Sequence, residues 1–343
     1  MKPRVMVCFG TRPEVIKVAS TLSELSRRKI SFTSVLTGQH HELFHYVQAL
    51  IPAPDFNLEI MEENQSPARV LAQVAARFRP LVQEAAPDIV IVQGDTVTAM
   101  AVALVSFYEK AKVGHIEAGL RTYDPGAPFP EEVNRQIISR VAHIHWAPTQ
   151  RALENLIREG VDNAILTGNT VVDVCLESGF PVRYGTKVVI TLHRRENFGE
   201  RMESMFQQIE NLARTYPELE FVFPMHPNPE VQRHRNLLQK TAVVKPLEYR
   251  EFLRLLSEAK FVITDSGGIQ EECAAYRKRV LVCRDKTERP EGVEAGLARV
   301  VGTEIEKNFS WANDDPRWDG ENPFGDGKAA NRIVDSILQA FEK

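Results

Sequence analysis

Cysteine is sparse in this chain. Cys8, Cys175, Cys273 and Cys283 stand far apart in 343 residues, and none forms a CxxC pair. That spacing argues against both a disulfide framework and a thiolate metal site. Cys8 and Cys283 fall in apolar strand-like runs, where a buried free thiol is expected. No apolar run approaches the ~20 residues needed to span a bilayer. The opening MKPRVMVCFG enters a β-rich run without the apolar core of a signal peptide. The expectation is a reduced, cytoplasmic protein away from membranes. A dominant charge is also missing. The formal net charge of −4 at pH 7 gives no reason to expect nucleic acid or an anionic membrane as partner. An anionic ligand would have to be met by locally placed Arg and Lys. There is no low-complexity segment, no GxGxxG after the first strand-like run and no Walker lysine pattern, so neither a dinucleotide cofactor nor ATP is indicated.

What the chain does have is a repeating order of strand, loop and helix. Short β-branched runs are read at 4–9, 32–37, 88–93, 112–116 and 142–147, then at 187–192, 219–225, 242–245, 261–265 and 279–283. Helical stretches of about 10–18 residues separate most of them, as βαβ crossovers require. This predicts an α/β protein of two Rossmann-like, doubly wound parallel-sheet domains, at 1–170 and 171–327. The Gly- and Pro-containing stretch near 168–186 supplies the boundary. An amphipathic helix at about 328–343 closes the chain and could cap either domain.

The unusual residues cluster. GTRPE (10–14), TGQHH (37–41), QGDT (93–96), EAGLRTYDPGAPFPEE (117–132), HRREN (193–197), HPNP (226–229) and DSGG (265–268) each follow a predicted strand. In open α/β sheets that carboxyl edge is where ligands bind, and two such edges facing each other would make one cleft. DSGG opens a helix and reads either as a phosphate cradle or as a plain helix entry capped by Ser266. Arg12 and Lys17 stand near the first helix start, and Arg284 and Arg289 in RDKTERPEG. A diphosphate clamped by these cations and a Gly-rich helix start is their simplest common purpose. Asp95, Glu117 and Glu131 remain as candidate general acids or bases, each of which taken alone would more often be a structural hydrogen-bonding group. His41 and His45 have helical spacing but no acidic third ligand, so no metal site is expected. The stretch 117–132 reads either as a solvated linker or as a loop that brings its two bracketing acids together, with Arg121 orienting one of them.

The motifs GTRPE, QGDT, HIEAGLRT, PEEVNR, GNTVVD, HRREN, HPNP, DSGGIQEE, RDKTERPEG and NPFGDGKAA, in that order, resemble those of the non-hydrolysing UDP-N-acetylglucosamine 2-epimerases. The resemblance runs from residue 10 to about 330. It implies the GT-B arrangement of two Rossmann-like domains about a deep cleft, with the C-terminal helix returning to the first domain. It further implies interconversion of UDP-N-acetylglucosamine and UDP-N-acetylmannosamine for cell-surface polysaccharide synthesis, by a homodimer using neither metal nor nicotinamide. The C2 hydrogen of this sugar is not adjacent to a carbonyl, so direct abstraction faces a high barrier. The family instead eliminates UDP across C1–C2 to 2-acetamidoglucal and adds it back with the opposite configuration.

Carried over by motif, the catalytic residues are Asp95, Glu117, Glu131 and His193, with the acid and base roles left open. The UDP moiety falls to Arg12, Lys17, His193, Phe252, Ser266, Gly267, Gly268, Glu272 and Arg289, with Glu272 at the ribose and Phe252 near the uracil. Several members are activated by a second UDP-N-acetylglucosamine, whose matching positions are Gln39, His40, Arg69, Glu131, Arg194 and His226. Three positions depart from the family pattern: Glu42 stands for a glutamine, Gln93 for the histidine of HGDT and Leu247 for a glutamine. Three other readings use the same architecture: a hydrolysing relative, a UDP-sugar glycosyltransferase and a non-catalytic nucleotide-sugar binder. The GTRPE loop favours the non-hydrolysing branch. Three acids fit chemistry at C2 better than acceptor activation or the binding of an anion.

Overall fold

The computed structural model describes residues 2–38, 46–60, 62 and 65–342. The readings at Gln39, His40, His41, Glu42 and His45 lie outside the described residues. The chain divides into two compact units, Met1–Val174 with Gly325–Lys343, and Cys175–Phe324.

The first unit is built on β1 (Val5–Phe9), β2 (Phe32–Leu36), β3 (Phe56–Asn57), β4 (Ile89–Gln93), β5 (Lys112–Ile116), β6 (Ile144–Ala147) and β7 (Ala164–Leu166). They form one sheet in the order β3-β2-β1-β4-β5-β6-β7, and every pairing is parallel. The chain runs outward from β1 and then returns to lay β4 on the other side of β1. The loops after β1 and β4 therefore meet at a topological switch point, where open α/β sheets hold their ligands. β1 and β4 are buried along their whole length, as continuous apolar runs covered by helices on both faces should be. Phe78, Val74 and Val70 of the helix Pro67–Ala85 share one apolar cluster with Met6, Val90 and Val102.

The second unit repeats the plan with β8 (Lys187–Thr191), β9 (Glu220–Pro224), β10 (Ala242–Val244), β11 (Phe261–Thr264), β12 (Val280–Val282) and β13 (Ala298–Val300). The order is β10-β9-β8-β11-β12-β13, parallel throughout. Its switch point lies between β8 and β11. The core is more aromatic, with Phe206 edge-on to Phe223 and Phe261 edge-on to Phe309.

The ten strands read from the sequence are all present, within two residues of their expected ends. The unread ones, β3, β7 and β13, have two or three residues each and lie at sheet edges. None holds the pair of β-branched residues that marks the equally short β10 (AVV) and β12 (VLV).

The C-terminal helix Ala329–Phe341 belongs to the first unit. Asp173 of the GNTVVD motif accepts hydrogen bonds from the Ala329 and Ala330 amides at 3.1 and 2.7 Å, which satisfies two donors of that helix start. Asn331 donates to Glu24 at 2.9 Å, Asp335 pairs with Arg28, and Trp146 donates from its indole to Ser336 at 2.7 Å. Trp146 also explains the glycine in the strand KVGHI. A Cβ added at Gly114 would collide with the Trp146 ring, so β5 and β6 approach this closely only with glycine there. His115 and His145 face each other in the β5–β6 register, both buried. Burial pushes their pKa values down, to about 3 and about 4.

Two outcomes follow for stability. Gly114→Val should destabilise the first unit by at least about 1–3 kcal/mol through overpacking, measured by denaturant titration. The two histidines have folded pKa values below the unfolded value of 6.5, so the unfolded chain binds more protons in that interval. Their contribution is complete above about pH 6.5 and is lost as pH falls toward 4 and 3. The thermal midpoint should therefore drop from pH 7 to pH 5, with a shallower slope in His145→Gln.

Candidate active site

The loop after β1 delivers Arg12 as the first residue of the helix Arg12–Arg27. Its guanidinium stands 6.0 Å from the Tyr46 ring centroid. Glu14, buried one turn in, accepts from the Gly10 and Thr11 amides at 2.7 and 2.6 Å and from the Thr96 hydroxyl at 2.6 Å. Burial raises its pKa, against the lowering effect of these hydrogen bonds. One carboxylate thus ties the loop after β1 to the loop after β4.

That second loop turns through Gly94, whose φ of 71° is left-handed backbone that glycine adopts without penalty. The His115 ring nitrogen Nε2 lies 2.7 Å from the Gly94 carbonyl oxygen. A histidine kept neutral by burial serves there as an N–H donor. Asp95 follows. Its Oδ2 accepts from Arg135 Nε at 2.8 Å and lies 2.7 Å from Nη2, while Asn134 donates to the Asp95 carbonyl at 2.8 Å. Thr96 then caps the helix Val97–Tyr108 by accepting from the Ala99 amide.

Glu117 comes directly after β5 at φ 67°, an uncommon position for a side chain with a Cβ. It is 8 % exposed, and both its oxygens are engaged: Lys17 donates to Oε1 and Gln93 to Oε2. Lys17, expected on the UDP moiety, directs its ammonium at this acid. Glu131 opens the helix Glu131–Val141, where the positive end of the dipole favours a carboxylate. It lies four residues before Arg135, so both share one helix face.

Arg121 does not orient either bracketing acid. Its side chain is fully buried and donates to Glu159 at 2.7 and 2.9 Å, to Ser139 and to the Leu120 carbonyl. The loop is closed instead by Glu132, which accepts from the Thr122 and Tyr123 amides at 2.9 and 3.2 Å and from Arg135 at 3.3 Å. Burial raises the Glu132 pKa, but the hydrogen bonds and Arg135 outweigh it and the net direction is down.

In the second unit, β8 and β11 present their loops side by side. Asp265 is fully buried and accepts from the His193 amide at 3.0 Å, the Arg194 amide at 2.9 Å and the Asn197 side chain at 3.1 Å. It shapes the HRREN turn from behind. The His193 ring stacks on His226 with centroids 5.5 Å apart. Ser266 precedes the helix Gly267–Ala275, and its hydroxyl makes no capping bond, which removes the plain-cap reading. The Arg289 guanidinium lies over this helix start: a Cβ on Gly267 would come 3.7 Å from its carbon. A Cβ on Gly268 would meet nothing within 4 Å. Glu271 accepts from Arg289 Nε at 2.5 Å, and Thr287 bonds both Gln270 and the Arg289 amide at 3.1 Å. Glu272 accepts from the Tyr249 hydroxyl at 2.8 Å, which joins it to the helix carrying the buried Phe252. A helix start with open amides and an arginine fixed above it can hold a phosphate.

Of the expected effector residues, Arg69 pairs with Glu62 in the first unit. Arg194 and His226 lie beside His193 in the second, and Arg194 Nε is buried with no hydrogen-bond partner among the described residues. Sequence reasoning missed Glu14, Arg135, Asp265 and Glu271 as organisers. All four lie inside quoted motifs, but their spacing carries no sign of what they hold.

A family model described as UDP-N-acetylglucosamine 2-epimerase matches residues 23–338. The UDP-N-acetylglucosamine 2-epimerase of Bacillus subtilis is 40% identical, covering 98% of this chain and 95% of its own. That of Campylobacter jejuni is 36% identical over 99% and 98%. Among solved structures, the Neisseria meningitidis UDP-GlcNAc 2-epimerase bound to UDP-GlcNAc superposes with a TM-score of 0.91 at 37% identity, covering 98% of this chain and all of that one. MurG of Acinetobacter baumannii, at 12% identity and a TM-score of 0.57, shares the fold alone. With switch-point loops, sequence and backbone in agreement along nearly its whole length, the chain belongs to the UDP-N-acetylglucosamine 2-epimerase family.

Proposed function

We propose that the protein interconverts UDP-N-acetylglucosamine and UDP-N-acetylmannosamine by the non-hydrolysing route. A base removes the C2 proton as the C1–O bond breaks, and UDP leaves with the bonding pair, giving 2-acetamidoglucal. A proton then returns to C2 on the opposite face while UDP re-forms its bond to C1. The observation that carries this reading is the acid cluster at the first switch point. Asp95 and Glu117 stand at the ends of adjacent strands, each on a cation, and Glu131 shares a helix face with the arginine that grips Asp95. Three carboxylates gathered where an anionic nucleotide sugar reacts would oppose simple binding, whereas proton removal and return at C2 need them.

In this reading Asp95, Glu117 and Glu131 handle the C2 proton. The diphosphate is held by Ser266, Gly267, Gly268 and Arg289, with Arg12 and His193 adding donors that stabilise its charge as it departs. Glu272 takes the ribose hydroxyls and Phe252 lies near the base. The relatives known with UDP-GlcNAc support the nucleotide-sugar substrate. Retention of the glucal between elimination and re-addition requires a site that keeps water out.

Incubation with UDP-N-acetylglucosamine in heavy water, followed by NMR, should yield UDP-N-acetylmannosamine carrying deuterium at C2 and little free sugar. Accumulation of free N-acetylmannosamine would show the hydrolytic branch instead, and absence of both exchange and product would remove the epimerase reading. Asp95→Asn, Glu117→Gln and Glu131→Gln should each lower turnover by about 10²–10⁴-fold, and a near-native rate in any one takes that residue off the catalytic list.

A further inference from the structure

The residue that departs from the family pattern beside the acid cluster is Gln93. It is the last residue of β4, only 3 % exposed, and pairs in register with Ile116. Glu117 is therefore the next residue along on the adjacent strand, within reach of a side chain of this length. The Gln93 amide donates to Glu117 Oε2, and Lys17 donates to Oε1. The two donors grip opposite ends of one carboxylate that stands on left-handed backbone. Two fixed donors constrain the directions in which the carboxylate can meet a proton. Lys17 supplies the charge. Gln93 supplies direction only, being neutral and unable to titrate.

We infer that Gln93 is a positioning residue for this chain's reaction: through its amide it fixes the rotation of the Glu117 carboxylate toward the substrate carbon. The inference rests on the assignment of Glu117 to proton transfer at C2. Its physical basis is steep. A reacting group displaced by about 1 Å can lose about 10²-fold in rate without losing substrate affinity. Without the Gln93 amide, Oε2 loses a donor that fixes the rotation of the carboxylate. Side chains that merely fill the space at position 93 cannot restore the second point of attachment. A histidine can, from a ring N–H.

The test uses the full-length protein and UDP-N-acetylglucosamine, with thermal unfolding and calorimetric UDP binding as checks on folding. Gln93→Leu should lower kcat about 10–100-fold and leave KM within about threefold, because a loss confined to the transition state moves kcat and not KM. Gln93→His should recover most of that loss at pH 8. Should Gln93→Leu fail to fold, Gln93→Met serves for the same comparison. The decisive measurement is the double variant. In a Glu117→Gln background, Gln93→Leu should cost less than about threefold more, since residues acting as a unit are strongly non-additive. An unchanged kcat in Gln93→Leu, a rise in KM alone, a histidine variant no better than leucine, or full additivity in the double variant would each overturn the inference. If the native protein forms no UDP-N-acetylmannosamine, the functional reading itself fails. If it does and Glu117→Gln is as active, the assignment of Glu117 fails and the inference about Gln93 is overturned with it.

Discussion

The pairing of β4 with β5, Gln93 opposite Ile116, is the constraint on which the reactive end of the first unit depends. It sets the turn at Gly94 beside the turn at Glu117 and so brings Gln93, Asp95 and Glu117 to neighbouring positions. Both strands are buried apart from Lys112, and a one-residue slip of β5 would carry Gly114 off the Trp146 ring and Glu117 away from Gln93. Packing at Gly114 thereby helps to fix the register from which the polar cluster inherits its geometry. Taking such carboxylates out of water costs several kcal/mol each unless they are paired. Lys17 and Arg135 provide the pairing, Gln93 donates to the second oxygen of Glu117, and Asn134 holds the Asp95 backbone carbonyl.

The carboxylates of the two switch points divide by what donates to them. Glu14, Glu132 and Asp265 are bonded to backbone amides and hold loops in shape. Asp95 and Glu117 take their donors from side chains. A carboxylate committed to amides cannot turn toward a substrate without undoing a loop. One held by an arginine, a lysine or a glutamine is oriented without committing the backbone. In the second unit Glu271 takes its donor from Arg289 and steadies that guanidinium above the helix start.

Much of this was legible in the chain. The strand–helix alternation and the Gly-, Pro- and charge-rich loops announced two doubly wound sheets with the unusual residues at their carboxyl edges. The strands β3, β7 and β13 escaped because they are short and hold at most one β-branched residue each. Arg121 was misread because proximity in sequence to Glu117 says nothing of Glu159, which lies 38 residues on and takes its guanidinium. Glu132 was passed over because adjacent acids at a helix start look alike until one is seen accepting from the loop amides and from Arg135.

By itself the sequence determined the element order, the positions of the loops and the residue types available for acid–base and phosphate chemistry, because periodicity and turn chemistry are local. Which carboxylate meets which donor was decided only by tertiary structure. Lys17 reaches Glu117 across 100 residues, Arg135 reaches Asp95 across 40 and Asp265 reaches the His193 turn across 72. Strand order and register made those neighbours, and no local pattern in the chain encodes them.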